Sequence, residues 1–195
     1  MRSVKVLVGT AVVAASLLPA ATALAASRTA IPHTGRVARV SACQSDQVAA
    51  WVAPSPGGAA AGSTYYDLEF TNISTRTCTL TGYPGVSAVN VVGHTLGKPA
   101  SRNVTHRVAT VTLTGAPVQP GGPVGLGGTV SAILRIVDAT PFPAASCGRA
   151  TASGLRVYAP GQKRAKLVSL PFLACASGKV QFMSVEAVQP RVPLG

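Results

Sequence analysis

Five acids, three histidines and four cysteines are the side chains here that could carry chemistry: Asp46, Asp67, Glu69, Asp138 and Glu186; His33, His94 and His106; Cys43, Cys78, Cys147 and Cys175. A Ser-His-Asp hydrolase needs a nucleophile, a base and an orienting acid brought together. His94 and His106, each beside polar or glycine-rich loop residues, are the candidate bases, with Asp138 and any of many serines to complete the set. No G-x-S-x-G elbow singles out a nucleophile. Asp67 and Glu69 alternate with apolar residues, which on a strand puts both carboxylates on one face. Paired carboxylates for glycoside cleavage work from opposite sides of a cleft, so these two read as solvent-facing charges. The cysteines show no C-x-x-C spacing and no H-x-x-x-H accompanies them, so no zinc site is expected. Gly121-Gly122 and Gly127-Gly128 surround prolines instead of leading a strand into a helix, and read as turns, not a phosphate loop. No residue is assigned a catalytic, cofactor-binding or metal-binding role, and no cofactor is expected.

The chain start says where the cysteines work. Met1 to Lys5 supplies positive charge, Val6 to Leu18 an apolar run ended by Pro19, and Ala23-Leu24-Ala25 a small-residue cleavage site, so residues 1–25 read as a secretory signal peptide. The apolar run is short for a membrane span, and no cysteine near the cut offers itself for lipid attachment. The expectation is a secreted protein, extracellular or cell-wall associated, without a transmembrane segment in its mature form. In an oxidising compartment four cysteines imply two disulfides. Three connectivities are possible; pairing sequence neighbours, Cys43 with Cys78 and Cys147 with Cys175, is favoured because each would tie loops or strand ends within one half of the domain.

Cleavage removes Arg2 and Lys5 and leaves fifteen bases against five acids, a net charge of +10. Such a balance attracts anionic partners, an anionic cell-wall polymer or an envelope protein among them. The bases are scattered among Arg36 to Arg39, Arg102 to Arg107 and Lys163 to Lys166, without the stacking aromatics or recognition helix of a nucleic-acid module. No specific nucleic acid is expected, and the protein reads as a monomer.

The elements that must position these residues are strands. Residues 26–37 lack apolar periodicity and read as a disordered lead-in, and 38–190 as one domain, long enough to bury roughly 70% of its extended-chain surface. Within it, short apolar-alternating runs are punctuated by Gly, Pro, Asn and Ser, the pattern of an antiparallel sandwich or barrel of seven to ten strands. In Tyr65 to Asn72, Tyr66, Leu68 and Phe70 share a face opposite Asp67 and Glu69. Val130 to Val137 reads as a central strand, and Leu155 to Ala159, Leu167 to Phe172 and Val180 to Val188 as others. Ser45 to Val52 is the best helix candidate, with a strand reading nearly as good. The sole tryptophan, Trp51, reads as a core anchor. Asn72-Ile73-Ser74 and Asn103-Val104-Thr105 read as loop polarity, the first making a turn through its own side chains. Tyr83-Pro84-Gly85 suits a type II turn, with Tyr83 as a corner tyrosine bonded to backbone.

Gly62 to Asn72, followed by Cys78-Thr79-Leu80-Thr81-Gly82-Tyr83-Pro84-Gly85-Val86, resembles an actinobacterial secreted family catalogued as domain of unknown function 4232. That family's pattern of a strand ending F-T-N, then C-x-L-x-G-Y-P-G and a later cysteine pair, is matched over about residues 43 to 188. The resemblance implies an all-β, immunoglobulin-like antiparallel β-sandwich in exported envelope proteins, and supplies no reaction. The expected function is that of a secreted, non-catalytic binding or structural module of the envelope. The alternatives are a secreted hydrolase using His94 or His106, and a secreted protease inhibitor with its binding loop between Cys147 and Cys175.

Overall fold

The computed structural model describes residues 39–118 and 125–191. The expected signal peptide (1–25) and lead-in (26–37), with His33 and Arg36, lie outside the described residues. Twelve strands and one short helix follow in the order β1 (Val48–Ala60), β2 (Ser63–Asn72), β3 (Cys78–Thr81), β4 (Gly85–Val89), β5 (Thr95–Leu96), β6 (Ser101–Arg102), β7 (Thr110–Leu113), β8 (Thr129–Val137), α1 (Ala144–Cys147), β9 (Arg149–Tyr158), β10 (Lys166–Cys175), β11 (Met183–Val185) and β12 (Gln189–Pro190). The excess over seven to ten comes from β5, β6, β11 and β12, each of two or three residues.

The fold is an all-β sandwich with two disulfides. One sheet has six strands in the order β1-β2-β8-β11-β6, with β12 also pairing β8; the other runs β10-β9-β4-β5; β3 and β7 form a separate ribbon. Pairing is antiparallel except between β11 and β6. β8 is the axis of the larger sheet, because Val130, Ala132, Leu134 and Ile136 are buried while the alternate residues face outward. Leu68 and Phe70 of β2 face the same way, against Leu155 and Val157 of β9 in a single core that also holds Phe182 and Met183. Leu80, Val111 and Leu113 of the ribbon complete that core. The structure pairs Cys43 with Cys78, which joins the segment before β1 to β3, and Cys147 with Cys175, which joins α1 to the end of β10.

Four expectations are corrected. Ser45 to Val52 is no helix: Gln47 accepts the Gln44 N–H through Oε1 in a tight turn and β1 begins at Val48. The single helix among the described residues lies at Ala144–Cys147, after Pro143 and before Gly148 in the left-handed region (φ 55°). Val180 to Val188 is not one strand, because beyond β11 the Val188 N–H turns away to Gly82 O and the ladder resumes only at Gln189. The left-handed residue of the Gly82-to-Gly85 segment is Gly82 (φ 101°), so the Tyr83-Pro84-Gly85 type II turn does not form. Tyr83 instead carries the Arg102 guanidinium 5.4 Å from its ring centre.

Candidate functional site

Cross-strand register gathers the acids. On the outer face of the six-stranded sheet Trp51 of β1 lies beside Glu69 of β2, Glu69 beside Ser131 of β8, and Ser131 beside Gln189 of β12. The neighbouring row runs Ala53, Asp67 and Ile133, and reaches Glu186 through its N–H to Ile133 O. Three of the chain's five acids therefore share one sheet face.

Over these rows lies a cavity of about 380 Å³ with Ile133 and Ala187 among its apolar lining and Asp67, Ser131, Glu186 and His106 among its polar groups. Ser55 and Pro56 line it because β1 slips register between Pro54 and Ala59. His106 arrives from the loop after β6. That loop is tied down by the Asn103 N–H to Val185 O and shaped by Asn103 Oδ1, which accepts from the N–H and hydroxyl of Thr105 at 3.2 and 2.7 Å. The Asn103 amide donates to Glu186 Oε1 (3.1 Å), and His106 Nδ1 stands 2.6 Å from Glu186 Oε2. A carboxylate only accepts, so Nδ1 is the donor in this pair. The Glu186 side chain is 12% exposed and that of His106 53%, so the pair has a buried acid and an open ring.

Glu69 corrects a sequence expectation. It lies on the side predicted, yet is 3% exposed and not solvent-facing. Trp51 Nε1 donates to Oε2 at 2.5 Å, and Arg191 Nη2 lies 3.0 Å from Oε1, off the hydrogen-bond direction, so that contact is charge pairing. Trp51 is half-buried over this carboxylate on the outer face and is no core anchor. Alternation along β2 shows which face Glu69 takes; that Arg191, far along the chain, comes back to cover it has no local signal.

The remaining candidates disperse. His94 sits in the turn after β4, its N–H bonded to Asn90 Oδ1, away from the cavity lining. Asp138 is exposed and its N–H bonds Gly62 O, so it does not orient His106. The acid beside His106 is Glu186, which spacing alone did not single out. Cys147 and Cys175 bracket the paired strands β9 and β10, not an extended inhibitory loop. Gln162 lies in a hollow between Asp46 and the Lys163-Arg164 pair, where it bonds Ser45 and Cys43 O. No group of three metal-ligating side chains that could hold an ion occurs among the described residues. No helix among them is long and apolar enough to cross a membrane.

Comparison with curated proteins and with solved structures finds no match. One family model matches residues 43–189, under the description Domain of unknown function (DUF4232).

Proposed function

The chain belongs to the family Domain of unknown function (DUF4232), and from that premise we propose that it is an exported, envelope-associated binding module without catalytic activity, taking a hydroxyl-rich saccharide segment in the groove over β2 and β8. The observation that supports this most is the placement of Asp67 and Glu186 around an apolar floor on a rigid sheet. Glu186 is already oriented by Asn103 and His106, so it is a fixed acceptor for a ligand hydroxyl. The charge of the chain outside this face favours an anionic polymer around the saccharide. Binding of purified cell-wall fractions, measured by pull-down and calorimetry, tests the reading. Asp67→Asn and Glu186→Gln are each expected to weaken it by about 10-fold or more, since hydrogen bonds to charged groups contribute roughly 1.5–3 kcal/mol. Unchanged affinity in both variants would overturn the groove assignment.

The His106–Glu186 pair favours a second reading, a hydrolase in which Glu186 orients His106 as base and Ser131 or Ser55 of the same cavity serves as nucleophile. Turnover of ester or glycan substrates, abolished by His106→Ala and by one serine substitution, would select it over the binding module.

A further inference from the structure

The outer face of the four-stranded sheet is built unlike the groove. Along β10, Val168 and Ala174 are buried while Leu167, Ser169, Pro171 and Leu173 alternate outward, with Leu167 71% and Leu173 44% exposed. In register beside Leu167 lie Arg156 of β9 and Ser87 of β4; beside Ser169 lie Gly154 and Val89. A shallow hollow of about 290 Å³ crosses Gly154 between Leu167 and Val91. Val91 and Val92, 87% and 69% exposed, cap the turn after β4. That turn is held in shape, for Asn90 Oδ1 accepts the Val92 and His94 N–H groups and Arg156 Nη2 donates to Gly93 O at 2.6 Å.

The strands and turns on this side carry charge of one sign, with Asp46 facing Lys163 and Arg164 across a hollow at their margin. Strands β4, β5, β9 and β10 and the turns 90–94 and 159–165 contain no acid, while Arg149, Arg156, Lys163, Arg164 and Lys166 lie among them. The guanidinium of Arg149 is held by the carbonyls of Ala139, Thr140 and Phe142, and that of Arg156 by a carbonyl and a hydroxyl. These partners fix the cations in place without neutralising them. Both ion pairs among the described residues involve acids of the other sheet's outer face.

We propose that this face docks on an anionic lipid surface, with Val91, Leu167 and Leu173 entering the headgroup boundary and the fixed cations meeting lipid phosphates. A second copy of the chain fits less well. Face-to-face pairing would oppose arginine to arginine, and strand addition at the β10 edge is blunted by Pro171 and by the register slip between Ser169 and Phe172. The inference does not depend on the groove, which lies on the other sheet.

The test is flotation of the chain, as its host processes it, with phosphatidylcholine vesicles and with vesicles in which about one-third of the lipid is phosphatidylglycerol. Binding is expected on the anionic vesicles, at least about 10-fold weaker on the neutral ones, and lowered about 10-fold or more by the combined Val91→Ser, Leu167→Ser and Leu173→Ser substitutions. Ser169→Glu, at an exposed position, should lower it about 5-fold by placing an acid among the cations. Val104→Ser, 78% exposed in the loop after β6, should change nothing. Thermal unfolding at the parent temperature confirms that the variants are folded. Anionic binding that none of the face variants alters would overturn the proposal, as would no binding to the anionic vesicles; self-association or capture of an acidic protein, lost in the serine variants, would then assign the face to that partner.

Discussion

Asn72 is fully buried at the end of β2, and its side chain serves two loops at once. Its amide donates to the carbonyls of Arg76, Leu113 and Thr114, while Oδ1 accepts from the N–H and hydroxyl of Ser74. Asn72→Ala should therefore cost about 2–4 kcal/mol in urea denaturation, the sum of lost bonds and stranded buried carbonyls. Asn72→Asp should cost no less, since it turns an acceptor toward three carbonyls. The turn at Asn72 was readable from the sequence because asparagine and serine at this spacing bond their own backbone. The same chemistry at Asn103 was readable only as loop polarity, because its consequence, the orientation of Glu186, depends on a partner brought in by the fold. At Glu69 the expected outcome of Trp51→Phe is a loss of about 1–3 kcal/mol in thermal or urea unfolding, because a buried carboxylate then lacks a donor.

Among the elements, β9 meets β10 at Gly154 with no room for a side chain, since an added Cβ would meet Val168 O at 2.3 Å. Gly154→Ala is expected to push the two strands apart, with a loss of about 2 kcal/mol or more on the overpacking scale, read from the urea midpoint. The disulfides bracket separations of 35 and 28 residues, so replacing either pair by alanine should cost about 3.5–4 kcal/mol in the chain-entropy model. β8, with its single buried face, was legible from alternation, and so was the inward face of β2, although from Leu68 to Asn72 that strand is buried on both sides; the bounds of both agree with the reading to within two residues. What escaped was the short pieces. Nothing in the apolar run from Val180 to Val188 marks the point where Val188 leaves the ladder for Gly82, because that break answers to another part of the chain. Trp51 escaped for the same reason: a large ring near an apolar run looks like core until Glu69 is known to stand beside it.

Over the molecule as a whole, the two outer faces differ in charge: three of five acids lie on the six-stranded sheet, and the strands of the four-stranded sheet hold none. Attraction to an anionic wall polymer should fall steeply with salt as the Debye length drops from about 8 Å at physiological strength to about 3 Å at 1 M. Arg102→Glu with Arg107→Glu, or charge reversal at Lys163, Arg164 and Lys166, should weaken wall retention further, the second set without shifting the melting temperature and the first with a small loss from the Tyr83 ring contact. Retention indifferent to salt would remove charge from the account. The pairing of β8 carries one more consequence. On one side it holds β2, from the first half of the domain, and on the other β11 and β12, the last strands described. A chain that emerges N-terminus first, from a ribosome or through a translocation pore, thus delivers β2 and β8 long before the strands that cover the far edge of β8. Glu69 meanwhile waits for Arg191. Completion of the larger sheet and of the Glu69 pair therefore needs the chain through residue 191. Stalling the chain after residue 182 should leave a protease-sensitive intermediate with no groove.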